Sequence, residues 1–212
     1  NYLSYFLASI FSIISVIFTF SRSSYLALIT AVFVIGLIKS PKMFFLTLSF
    51  LLISFFTIPQ VKNRVIGAVA LDDTAQARII SWENAITVLK NQPVFGVGFN
   101  NYRYAQAKYR LFDNPEQIEL HSSSGSDSSI LLVAATTGII GLFLFLFLIL
   151  TLLLSVLKKP ADNPIKLVTL SVLLALLIHS QFVNSFFFPQ IDGSEILLKE
   201  NNLSIRVIFL KV

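Results

Sequence analysis

There is no cysteine in this 212-residue chain, which excludes disulfides, thiolate zinc sites and cysteine nucleophiles. Charge is scarce as well: Asp, Glu, Lys and Arg make up 13% of the residues, against about a quarter in a typical soluble domain. Several catalytic signatures are missing. No Gly-rich phosphate loop runs into a Lys, and there is no His-Glu-x-x-His and no nucleophile elbow. The carboxylates do not cluster as a metal site, which favours a metal-independent reaction without cofactors. The surplus of positive charge, +5, is modest and fits cytoplasmic loops of a membrane protein better than a nucleic-acid partner. The chain opens on Asn1, with neither a basic leader nor a small-residue cleavage site, and so reads as a fragment of a longer protein.

What the chain has instead is apolar surface. It is 55% hydrophobic with 21 Phe, more than a soluble domain of this size can hide, so the expected class is an all-α polytopic membrane protein. Five transmembrane helices are expected, at residues 2–20, 24–38, 43–58, 129–157 and 167–188. The second and third are short for a bilayer and need polar ends or local thinning. Lys39 and Lys42 flank one short connection, and Lys158, Lys159 and Lys166 flank another. One threading puts both inside, and it leaves residues 59–127 and the turn around Arg22 outside. The expected divisions are three transmembrane helices over 1–58, an extracytoplasmic catalytic loop over 59–128, two further helices over 129–190 and an atypical tail over 191–212.

The outer loop is too long to lack structure. Asp72, Asp73 and Thr74 supply capping residues, and Ile79, Trp82, Ile86 and Leu89 follow at helical spacing. Pro93 ends that helix, Gly96 and Gly98 make a turn, and residues 101–112 form a second helix stopped by Asp113-Asn114-Pro115.

Six residues stand out. Arg22, at the outer end of a helix, is either a snorkelling anchor or an anion clamp, because a guanidinium matches phosphate oxygens bidentately. Arg78, at the start of the loop helix, is either a solvated charge or a second anion ligand. His121 and Asp127 flank a Ser/Gly loop directly before the fourth helix. His121 is either solvated or a general base; Asp127 is either a helix cap or a general base. His179 and Asn184, placed in the fifth helix, serve interhelical hydrogen bonding or lipid-substrate binding. Gly138 and Gly141 are expected to let helices pack closely. A flippase or transporter, and a non-catalytic envelope-complex protein, stand as alternatives to an enzyme.

Four stretches in order resemble the O-antigen ligase and polymerase superfamily: SRSSYLALITAVFVIGLI, RIISWENAITVLKNQPVFGVGFNNY, DSSILLVAATTGIIGL and IHSQFVNSFFFP. The resemblance implies a C-type glycosyltransferase that passes a glycan from an undecaprenyl diphosphate carrier to an acceptor sugar or hydroxyl at the outer face of the inner membrane. It implies that Arg22 and Arg78 hold the diphosphate. The family's His position, counted back from Gly138, is occupied by Asp127, with His121 six residues upstream, so either is the expected base and Asp127 keeps the spacing. Displacement would invert the anomeric carbon. The family usually has about twice as many helices, so an N-terminal half is expected to be missing, and the tail IDGSEILLKENNLSIRVIFLKV departs from the family's apolar ending.

Overall fold

A computed structural model describes residues 2–112, 121–160 and 163–187. The expected stop at Asp113-Asn114-Pro115 and the tail 191–212 lie outside the described residues. All regular structure among the described residues is helical. The elements are α1 (Tyr2–Phe18), α2 (Arg22–Ile38), α3 (Pro41–Thr57), α4 (Pro59–Val69), α5 (Asp73–Asn91), α6 (Tyr102–Lys108), a 3-10 turn (His121–Ser124), α7 (Ser129–Leu157) and α8 (Pro164–His179).

Among the described residues one helix, α7, is long and apolar enough to cross a membrane. Residues 7–18 of α1, and all of α2 and α8, are apolar but shorter, and α3 and α4 pass the same test only as a pair bent by 96°. That bend was not expected. Pro59 opens α4 at a position that favours a helix start, so the chain turns sharply at Ile58 and continues helically. The fifth expected helix also ends early, at His179, and residues beyond it form turns that carry Asn184. Asn184 is therefore not a helical residue.

The largest departure lies within α7. Gly138 has φ 68 and ψ −169, which breaks the helix into a buried first part and an exposed second part. Ser129, Val133, Ala134, Ala135 and Thr136 are buried, whereas Ile139, Ile140, Phe143 and Phe147 are exposed. The ends of α7 also require a sharp bend. Ser129 N–H donates to the Ser180 carbonyl, and Lys166 Nζ donates to the Leu157 carbonyl. These anchors lie about 21 Å apart along α8, whereas a straight α7 would need about 42 Å between them.

The loop after α5 compensates the break. Val97 N–H donates to the Ala135 carbonyl at 3.0 Å and Gly98 N–H to the Thr136 carbonyl at 2.8 Å. In return Ile139 N–H donates to the Pro93 carbonyl at 2.8 Å. Backbone groups orphaned by the break are thus paired with a non-helical segment. Gly138 packs its Cα against the Val94 carbonyl and Gly96 packs against Thr136, leaving no room for a Cβ at either. The close approach expected at Gly138 is therefore to a loop backbone and not to another helix.

In α5, Asp72 is the N-cap and accepts the Ala75 N–H. Of the expected face, Ile79, Trp82 and Leu89 are half-buried, but the most buried positions lie to one side of it. Ala85 and Val88 are buried while Ile86 is exposed, because small residues meet Tyr102, Ala105 and Ala135 across a tight contact. The next helix, α6, is shorter than expected; Arg110, at φ 56, follows its end.

Candidate active site

Helix α5 organises the site. Thr74, Arg78, Ser81, Ala85 and Val88 follow at spacings of three and four, so they share one side of the helix. At its N-terminal end, Arg22 pairs with Asp72 and also donates to Thr74 Oγ1 at 3.3 Å. The Arg22 side chain is 13% exposed. It is thus not a snorkelling anchor but half of an ion pair that ties the start of α2 to the start of α5. The Arg22 guanidinium holds the Asp72 carboxyl down at about 2, with Thr74 and the Ala75 N–H adding to the effect. One turn on, Arg78 lies beside Thr74 on the helix surface. Because α5 begins at Asp73, Arg78 falls in the second turn and not at the start. Among the described residues it has no hydrogen-bond or ion-pair partner. Its charge acts on both Asp127 and His179.

The loop before α7 is built onto this face. Asp127 N–H donates to Ser81 Oγ at 3.0 Å, and Ser126 Oγ donates to the Ser81 carbonyl at 3.4 Å. Gln106 of α6, itself buried, accepts from Asn84 Nδ2 at 3.3 Å and donates to the Ser123 carbonyl at 2.8 Å. Two helices, α5 and α6, therefore hold the Ser/Gly loop. The helix cap is Ser128, whose hydroxyl accepts the Leu131 N–H. Asp127 is not the cap, and its carboxylate is free of that task. Burial pushes the Asp127 carboxyl above its ordinary range, and the Arg78 guanidinium pulls the other way. The backbone of His121 opens the 3-10 turn, and its side chain lies outside the described residues.

Next to Asp127 is a cavity of about 800 Å3. Asp127, Ser126, Asn100, Tyr102 and Asn184 give it a polar side; Leu132, Val133, Leu144, Phe145, Val183 and Phe187 give it an apolar one. Of the residues chosen from sequence, Asp127 and Asn184 line it, while Arg22, Arg78 and His179 do not. Asn184 accepts from Ser129 Oγ at 3.0 Å, and His179 Nδ1 meets Ser185 Oγ at 2.5 Å. Sequence reasoning missed Tyr102 and Ser81. Tyr102 is 1% exposed, and burial, together with the nearby Asp127 charge, raises its phenol so that it stays protonated and able to donate. Nothing local in the sequence marks either residue, although both lie within the stretch 78–102 that carries the family resemblance. Among the described residues no three His, Asp or Glu side chains gather as a metal site.

A mixed polar and apolar cavity beside a half-buried carboxylate suits a substrate with a sugar end and a lipid end. The family model described as O-antigen ligase matches residues 7–146, two thirds of the chain. The chain belongs to the O-antigen ligase family. The matched span contains Arg22, Arg78, His121 and Asp127, and ends before His179 and Asn184. Membership connects the protein to glycan transfer in polysaccharide biosynthesis and to lipid-linked glycan substrates at a membrane. No curated protein and no solved structure matches the chain.

Proposed function

We propose that this protein transfers a glycan from an undecaprenyl diphosphate carrier to an acceptor sugar or hydroxyl at the outer face of the bacterial inner membrane. The observation that carries this reading is that Asp127, half-buried at the cavity wall, feels the charge of Arg78, a cation with no ion-pair or hydrogen-bond partner among the described residues. Helices α1, α2, α3, α7 and α8 are read as five spans, with residues 59–128 extracytoplasmic, because both Lys-flanked short connections then fall inside.

The acceptor hydroxyl gives its proton to Asp127 as its oxygen attacks the anomeric carbon. The bond from that carbon to the diphosphate oxygen breaks on the opposite side, which inverts the centre. The electron pair leaves with the lipid diphosphate. Arg78 stabilises the developing negative charge, and Arg22 joins it by exchanging Asp72 for a phosphate oxygen. No metal is needed to supply positive charge to this step. Asp127 suits the proton transfer because desolvation makes it a better base than a surface carboxylate.

The test is glycan analysis by gel and mass spectrometry after deletion of the full-length gene, with complementation by wild type and by Arg78→Lys. Short chains on an intact acceptor identify a polymerase, and full-length chains retained on the lipid carrier identify a ligase. Arg78→Lys keeps the charge but loses the bidentate fork, so it should complement poorly. An unchanged glycan profile on deletion would sink the proposal.

A further inference from the structure

The loop at 93–99 has an unusual combination of properties. Its side chains are apolar and outward: Val94 is 51%, Phe95 77% and Phe99 85% exposed. Residues 91–102 contain no charge. Part of its backbone is tied to α7. The N–H groups of Gly96, Val97 and Gly98 donate to carbonyls of Gln92, Ala135 and Thr136, and the Pro93 carbonyl accepts from Ile139. A non-helical segment with some polar groups left for water fits the headgroup level of a bilayer and not its centre.

The loop docks where α7 changes character. Before Gly138 the helix is covered by protein; after it, Ile139, Phe143 and Phe147 are exposed. The part of α7 after Gly138 is about 28 Å long, enough by itself for a hydrocarbon core of about 30 Å. Gly138 then lies at the membrane surface, and Phe95 and Phe99 extend the exposed apolar surface of α7 sideways at that level.

We propose that the 93–99 loop is inserted into the outer leaflet, with Val94, Phe95 and Phe99 among the acyl chains next to the headgroups. The partner is the lipid bilayer. Because Phe99 also lines the cavity, this anchoring sets the height of the cavity mouth against the membrane surface. The inference rests on the membrane reading given under the proposed function, and it moves part of the outer loop from water into lipid.

The sequence has no Cys, so single Cys residues can be introduced and labelled without background from this chain. The full-length protein would carry an environment-sensitive fluorophore at Phe95, Phe99, Phe147 or Lys108 and be reconstituted in phosphatidylcholine–phosphatidylglycerol vesicles. Phe95 and Phe99 are highly exposed, so replacing them disturbs little packing. Nitroxide lipids labelled near the headgroup should quench Phe95 and Phe99 strongly. Lipids labelled near the chain end should quench Phe147, and Lys108 should respond only to aqueous iodide. If Phe147 is quenched by lipid while Phe95 and Phe99 behave like Lys108, the loop is in water and the inference falls, with the membrane reading intact. If Phe95 and Phe99 resist both lipid and iodide, protein covers them and the inference also falls. If Phe147 itself escapes lipid quenching, the membrane reading fails first.

Discussion

Ser81 Oγ accepts the backbone N–H of Asp127 at 3.0 Å, across 46 positions of sequence. The same helix carries Arg78 one turn earlier, so this hydroxyl joins the Ser126 and Gln106 contacts in fixing the carboxylate's loop relative to Arg78. Ser81→Ala should lower the rate of glycan transfer by about ten- to a hundredfold, since small displacements of a reacting group are costly. The stability loss should be only about 1 kcal/mol, as for one hydrogen bond. Ser81→Thr keeps the acceptor and should restore much of the rate. In vitro turnover and thermal unfolding of the three proteins in detergent check this. Equal turnover in Ser81→Ala and wild type would remove Ser81 from the site.

Asp127→Asn should reduce transfer by roughly 10²–10⁴-fold with expression and insertion unchanged. The fold is spared because Ser128, not Asp127, caps α7. His121→Gln in parallel decides between the two candidate bases: the larger loss identifies the primary one. If Asp127 is the base, activity should rise with pH through a value above the ordinary carboxylate range, as its burial requires. Arg78→Gln removes the charge that opposes this shift and should move the rise to still higher pH, alongside its loss of rate.

The Arg22–Asp72 pair makes an acid-labile tie between α2 and α5. The Asp72 carboxyl is held at about 2 in the folded protein against 3.8 unfolded. Between these values the unfolded chain binds the extra proton. The stabilisation is therefore complete above the unfolded value and is lost as pH falls toward 2. Thermal unfolding followed by circular dichroism down this range should show a steeper fall for wild type than for Asp72→Asn. Asn keeps the α5 cap, so helix loss does not confuse the comparison. Parallel curves would mean that the pair contributes nothing.

Gly138→Ala should be among the most damaging single-atom additions to the described part of the chain. The position needs positive φ, and the new Cβ would meet the Val94 carbonyl. Backbone strain of about 1–3 kcal/mol adds to the loss of the loop's docking. Limited proteolysis in the 93–99 segment should speed up. Unaltered proteolysis in Gly138→Ala would show that the loop does not depend on the break.

Local pattern made part of this protein legible. The apolar run of α7, the Asp72 cap, the end of α5 before Pro93 and the turn glycines 96 and 98 all follow from neighbours in sequence. Arg22, Arg78 and Asp127 stood out because each is a charge beside an apolar helix or helix end.

What pattern could not supply was pairing. Arg22 looked free until Asp72, 50 positions away, closed on it. Asp127 looked like a cap because it precedes a helix, but Ser128 alone has the register to reach the Leu131 N–H. The run from 129 to 157 looked continuous because hydrophobicity does not distinguish a straight helix from a broken one. A break there is stable only when distant carbonyls and N–H groups replace the lost helical bonds, and the 93–98 loop provides them. Sequence alone determined which segments are apolar, which are capped and where charge is concentrated, because those depend on residues within a turn or two. Tertiary structure decided which charges are paired, which helix bends and which carboxylate is half-buried beside the cavity, because each of these depends on partners dozens of residues away.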